Sequence, residues 1–350
     1  MEPRTQTSSR KRDHLVICSE QQIERGWTGF DDVRLVHNAL TECDLGSIST
    51  ETRFLGHTLG SPLFIAAMTG GHPDTRDVNM RLARAADRFG LGMGVGSQRA
   101  AIENPELEDS FTVVREEAPK AFLCGNLGII QLRDHGIEWA DRAVEMIDAQ
   151  ALCIHLNPLQ EALQPEGDHD ARNCVAALAE LCADVSYPVI VKETGSGISR
   201  EAARKLWSIG VSAIDTGGWG GTSWAAVECA RATDVHLARL GPQFADWGIP
   251  TAVSLCEVAG TGGPVIATGG IRSGTDIAKA LALGADLSGV ALPLLKPAMN
   301  DEKMLHDVID MMHRQLKVAM FCTGSDTVSR MKKVRTYITG LTGRMIESEE

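Results

Sequence analysis

Lys192 closes the apolar run 189–193, so it projects an ammonium from the end of a buried strand. Three roles suit a lysine placed there: a Schiff base with a carbonyl substrate, a fixed cation beside an anionic cofactor ring, or a salt bridge to a neighbouring carboxylate. Further on, Gly269-Gly270-Ile271-Arg272-Ser273-Gly274 leads into a helix start at Thr275-Asp276. The paired glycines let backbone amides approach a ligand. Together with the positive end of the helix dipole and the Arg272 guanidinium, they form a phosphate cradle. The competing reading is a glycine-rich turn with no ligand. Thr69, Ser97, Asn126 and Thr222 stand at the ends of four other apolar runs. Each one alone is an ordinary turn or cap residue. As a set round one rim, with the cradle and the lysine, they read as a site for flavin mononucleotide, from ring to ribityl chain to phosphate.

The elements that must carry these groups follow from the hydrophobic pattern. Eight apolar runs, at 62–68, 91–95, 121–125, 151–155, 189–193, 213–216, 265–268 and 287–291, alternate with helical spacing such as that at 74–89, 138–147, 170–184, 199–209 and 275–283. Strands without a polar face, separated by helices, imply parallel pairing. Eight of them in about 230 residues predict a single α/β domain, a (β/α)8 TIM barrel over residues 62–325, in preference to an open doubly wound sheet. Chemistry in such a barrel gathers where strands run into their following loops. Residues 1–61 read as an N-terminal extension, and 326–350 as a polar C-terminal tail behind a last helix at 303–323.

Composition removes other classes. With 43% hydrophobic and 23% charged residues, the chain can bury a large core and is not disordered. A net charge of −12 argues against nucleic acid or an anionic membrane as the partner, so any bound anion must be held locally. No apolar stretch reaches membrane-spanning length, and the start is polar, which predicts a cytoplasmic protein. The nine cysteines contain no Cys-x-x-Cys pair and read as free thiols, excluding disulfide scaffolds and metal fingers. Gly92-Met93-Gly94-Val95-Gly96 has the wrong spacing for a dinucleotide fingerprint.

Taken together, Met68-Thr69-Gly70-Gly71, Ser97-Gln98-Arg99, His155-Leu156-Asn157-Pro158-Leu159-Gln160-Glu161, Lys192-Glu193, Gly220-Gly221-Thr222-Ser223-Trp224 and the glycine-arginine turn at 269–274 closely resemble the type 2, FMN-dependent isopentenyl-diphosphate isomerases. The resemblance spans nearly the whole chain, from Arg10-Lys11-Arg12-Asp13-His14 onward, and its most specific part is the segment 155–161. It implies flavin contacts from Ala67, Met68, Thr69, Ser97, Asn126, Lys192, Thr222, Gly270, Ile271, Arg272, Ala291 and Leu292. It implies substrate contacts from Arg10, Lys11, Ser97, Gln98, Arg99, His155, Asn157 and Gln160, with Glu161 holding Mg²⁺. Isopentenyl and dimethylallyl diphosphate would interconvert by a proton added at one carbon and removed two carbons away, with reduced FMN as acid–base and NADPH as its reductant.

A glutamine is neither a strong acid nor a strong base, so Gln160 would orient the substrate or support proton delivery. Arg10 and Lys11 are expected on an N-terminal lid over the diphosphate, and Trp219 and Trp224 could cover the prenyl tail or pack the core. The family also implies a homo-oligomer, a tetramer or octamer. One departure stands out: where relatives often carry Ser, this chain has Gly217. The rival flavin chemistry, a 2-hydroxy-acid oxidase or dehydrogenase, needs a His base and Arg groups after the sixth strand, and 217–222 offers neither. A non-catalytic flavin-binding regulatory barrel would need none of Arg10, Lys11, Gln160 and Glu161.

Overall fold

The computed structural model describes residues 6–232 and 234–348. Eight strands form one closed barrel: β1 (Leu63–Ile65), β2 (Gly92–Gly94), β3 (Leu123–Gly128), β4 (Ala151–Leu156), β5 (Val189–Glu193), β6 (Ala213–Asp215), β7 (Val265–Ala267) and β8 (Leu287–Val290). Every pair is parallel, each strand sits beside its sequence neighbours, and β8 closes on β1 through Ser288 opposite Leu63. The barrel expected from the pattern is therefore the one observed.

Side chains alternate faces along a strand, and the two apolar clusters follow that alternation. Ile65, Met93, Leu123, Leu152, Val191, Ile214 and Val290 point outward into the layer shared with the helices. Phe64, Phe122, Cys124, Cys153, Ile190, Ala213, Ile266 and Leu287 point inward and fill the lower barrel. Below them, a hairpin of Thr52–Phe54 and His57–Leu59 inserts Phe54 and Leu59 into the same cluster. Phe54 meets Phe122 edge to face, with ring centroids 5.8 Å apart.

Helix signals placed several elements well. Arg76–Phe89 ends on Gly90 in the left-handed region, and Arg200–Ser208 and Gly274–Ala282 start on Ser199 and Ser273, whose side chains accept amide protons. The helix expected at 138–147 starts earlier, spanning Ile129–Met146 with a break at Gly136. Residues 326–350, expected as a polar tail, fold in their described part. The strand Thr336–Ile338 pairs antiparallel with Val33–Leu35, and helix Gly340–Glu347 follows. The polarity misled because Asp32, in the extension, supplies the partner: its carboxylate accepts from the Thr342 amide and hydroxyl, both at 3.0 Å.

Candidate active site

The upper layer of the barrel interior has a polar arc and a bare arc. His155 on β4 is the register partner of Lys192 on β5, and Lys192 of Asp215 on β6, so three polar side chains point inward side by side. Asn126 on β3 extends the arc, its Oδ1 lying 2.8 Å from His155 Nδ1. Thr268, just past β7, closes it by donating its hydroxyl to Asp215. On the other side stand Ala66, Gly94 and Gly289, with no side chain beyond a methyl, and a Cβ on Gly289 would lie 2.2 Å from Thr268 Cγ2. The arrangement leaves a flat floor with one polar edge.

Above it opens a cleft of about 1060 Å³, counting its open mouth. Of the residues expected at the flavin, Ala67, Met68, Thr69, Lys192, Thr222, Gly270, Ile271, Ala291 and Leu292 line it. Its glycines let neighbouring loops close on one another. Gly269 has φ +108, and a Cβ there would lie 2.1 Å from the Gly218 carbonyl oxygen; a Cβ on Gly221 would lie 2.5 Å from the Gly270 nitrogen. The two loops thus touch backbone to backbone beside the start of helix Gly274–Ala282. Gly217 also belongs here: with φ +49 and the Glu193 carbonyl 1.9 Å from an added Cβ, this backbone has no space for the serine of relatives.

Three expected flavin contacts lie off the cleft wall. Ser97 is half-buried at the rim. Asn126 is held in the layer below, its amide group donating to Val95 O at 2.9 Å. The Arg272 guanidinium donates to Glu24 Oε1, brought in by the extension, at 2.7 Å and to Gly220 O at 2.9 Å. There it ties the loop after β7 to the extension.

The expected substrate residues gather beside the cleft, with one exception. Gln98 is fully buried, donating to Ala143 O at 2.8 Å while accepting from the Asn126 amide, so its side chain points away from the mouth. Arg99 stays at the rim on Glu103, at 2.7 Å. Asn157 donates to Glu161 Oε1 at 2.9 Å and to Gln160 Oε1 at 3.2 Å, and Gln160 donates to Glu228 Oε1 at 2.8 Å.

The N-terminal helix Gln6–Glu20 covers this group, with Lys11, His14, Leu15 and Cys18 in the cleft wall. Arg10 lies 3.8 Å from Glu166 and His14 3.0 Å from Glu228. Arg231 bridges both acids from below. Trp224 lines the cleft against the His14 ring, at a centroid distance of 5.0 Å. Trp219 instead packs on Gly26 and donates to Ala245 O at 3.0 Å, which assigns it to the loop core.

Charge in the pocket is finely set. Burial, then the charges of Lys11, Lys192 and Arg10, pushes His155 down to about 3, so the ring is neutral near pH 7. Asn126 Nδ2 donates elsewhere, so its Oδ1 accepts from His155 Nδ1–H and leaves the Nε2 lone pair outward. Burial, then the Arg10 cation, brings Lys11 down to about 7. Burial opposes the charge of Glu228, but His14, Gln160 and Arg231 outweigh it and hold the carboxyl at about 2.

His14, Asp215, Glu228 and Thr268 were not expected. Strand alternation placed Asp215 on the face of Lys192 and could have revealed it. Glu228 gave no such signal, since its partner Gln160 is 68 positions away.

Residues 16–113 and 141–337 match the FMN-dependent dehydrogenase family. The chain is 63% identical to an isopentenyl-diphosphate delta-isomerase of Methanoregula boonei, with 97% of this chain and 96% of the relative aligned. Identity to proteins of the same name is 52% in Archaeoglobus fulgidus (95% and 96% covered) and 49% in Halobacterium salinarum (98% and 97% covered). Among solved structures, a mandelate oxidase variant with an FMN monooxide adduct superposes with TM-score 0.63 at 18% identity, covering 93% of this chain and 92% of that one. A second mandelate oxidase structure gives 0.66 at 19%, covering 95% and 99%. At that identity the likeness speaks for the fold alone.

Proposed function

The chain belongs to the isopentenyl-diphosphate delta-isomerases, within the FMN-dependent dehydrogenase family, and we propose that it interconverts isopentenyl and dimethylallyl diphosphate in the cleft above β5 and β6. The reaction adds a proton at one carbon and removes another two carbons away, with no net redox change. Reduced FMN, when bound, supplies the acid–base chemistry of that shift. The floor and glycine walls fit its ring and phosphate. Lys192 is the fixed cation at the ring, and Thr69, Thr222 and the backbone from Gly270 to Ile271 hold it in place. Leu15, Trp224 and Leu292 keep water from the alkene, since an unactivated double bond is a poor base.

Arg10, Lys11 and Arg99 hold the diphosphate, with Ser97 and Asn157 at the rim. His155 joins them once the anion draws a proton onto Nε2. Both ends of the Gln160 amide are held by protein, so it orients the substrate and does not itself carry a proton. Among the described residues no cluster of three His, Cys, Asp or Glu could hold a metal by protein groups alone. Mg²⁺ therefore fits as a guest of the diphosphate, with Glu161 as its protein carboxylate and the remaining ligands from phosphate and water. NADPH, as reductant, would reach the flavin through the open mouth. A cytoplasmic setting, consistent with nine free cysteines, and assembly into a tetramer or octamer complete the reading. Among the described residues, no helix is long and apolar enough to cross a membrane.

One observation carries this placement: Lys11 lines the cleft and its charge acts on His155, which stands beside Lys192, so cation cluster and flat floor share one mouth. Anaerobic incubation with isopentenyl diphosphate, FMN, Mg²⁺ and NADPH is expected to yield the allylic isomer. Absence of turnover by reduced, flavin-loaded protein overturns the proposal. Arg10→Ala and Lys11→Ala are each expected to raise KM at least tenfold, and an unchanged KM removes the lid from it.

A further inference from the structure

The mechanism above leaves Asp215 unused, although it lies in the floor next to Lys192. Its side chain is only 3% exposed. The register places it on the inner face directly opposite Lys192. Its Oδ1 accepts from the Thr268 hydroxyl and from the Gly217 amide at 3.3 Å, while Thr268 Oγ1 itself accepts from that amide at 3.0 Å, which leaves the hydroxyl proton for Asp215. Gly217, Thr268 and Lys192 all line the cleft. A carboxylate fixed this firmly beneath a ligand site, with no substrate atom to touch, acts through its charge. Burial pushes the Asp215 carboxyl above its ordinary value, and the Lys192 ammonium, the Thr268 hydroxyl and the Gly217 amide oppose that rise without cancelling it.

We propose that Asp215 is a positioning residue that offsets the charge of Lys192, its neighbour across the strand register, so that a flavin in the cleft meets a compensated cation and not a bare one. This rests on the cleft being the FMN site. A bare ammonium favours the anionic, reduced ring over the neutral, oxidised one. Asp215 therefore restrains reduction and keeps the reduced ring's proton available to the reaction.

The experiment is a redox titration of FMN-loaded protein with spectra across pH. Asp215→Asn keeps the shape and the Gly217 contact but removes the charge. It is expected to tighten binding of reduced relative to oxidised FMN by about tenfold, a rise in midpoint potential of about 30 mV for two electrons, with the anionic reduced spectrum persisting to lower pH. Lys192→Met is expected to shift the potential the other way. Thr268→Val, which removes the donor and favours the protonated acid, should move it in the Asp215→Asn direction and serves if Asp215→Asn fails to fold. An unchanged potential and spectrum in the variants that load FMN overturns the inference while leaving the cofactor site standing. Wild-type protein that takes up no FMN overturns both.

Discussion

Burial on the cleft side and the Arg10 cation bring the Lys11 ammonium down from its ordinary 10.5 to about 7. Between those values the unfolded chain holds a proton that the folded chain has lost, so this lysine's contribution to stability rises with pH across that window; below about 7 both forms are charged and the burial cost is complete. Thermal melts should show it: the deficit of wild type relative to Lys11→Met shrinks from pH 7 to pH 10, and a constant difference contradicts the assignment. A polyanion reverses the sense by drawing the proton back. Titration of pyrophosphate calorimetrically at pH 8 is expected to show proton uptake, read as a binding heat that changes with the buffer's ionisation enthalpy. Glu228 is the second residue on which much depends, since Gln160, His14 and Arg231 all converge on it. Removing one side of a buried ionic cluster costs about 3–5 kcal/mol. Denaturant melts should place Glu228→Ala in that range and Glu228→Gln below it, because the amide retains a partner for Arg231.

At the scale of elements, the loop after β7 works only with glycine. Gly269→Ala would place its methyl 2.1 Å from the Gly218 oxygen at φ +108. The variant is expected to keep its far-ultraviolet dichroism and lose FMN uptake; normal uptake would show that the cradle tolerates a displaced loop. The barrel strands were legible because each is buried on both faces and bounded by turn residues. Most of the cleft wall was legible with them, because a barrel fixes which strand ends share a rim. Helix Thr251–Val258 was not, since nearly every residue in it is buried, Thr251, Ser254 and Glu257 included, and a helix with no wet side shows no stripe. Gln6–Glu20 opens with Gln-Thr-Ser-Ser-Arg-Lys-Arg-Asp and owes its place to docking, not to local pattern. Reading Ser97-Gln98-Arg99 as one contact run failed for a simpler reason: three successive residues at a strand-to-helix turn cannot all face one way, and the middle one turned under.

For the whole molecule, the described ends of the chain are tied to one another across the barrel. Val33–Leu35 pairs with Thr336–Ile338, Thr339 N donates to Asp32 O at 3.0 Å, and Thr342 donates twice to the Asp32 carboxylate. Three such bonds at about 1 kcal/mol each mean that ending the chain after Arg335 should cost at least ~3 kcal/mol and loosen the segment that carries Glu24 to Arg272. Denaturant melts and tryptic cleavage within residues 10–25 would report it, and unchanged values in both would show that the extension docks on its own. At the opposite pole, Phe54, Leu59 and Phe122 stopper the barrel. Among the described residues the cleft opens at the far end, so arrivals and departures there share a doorway and form a queue: a lingering product bars the next molecule from entering.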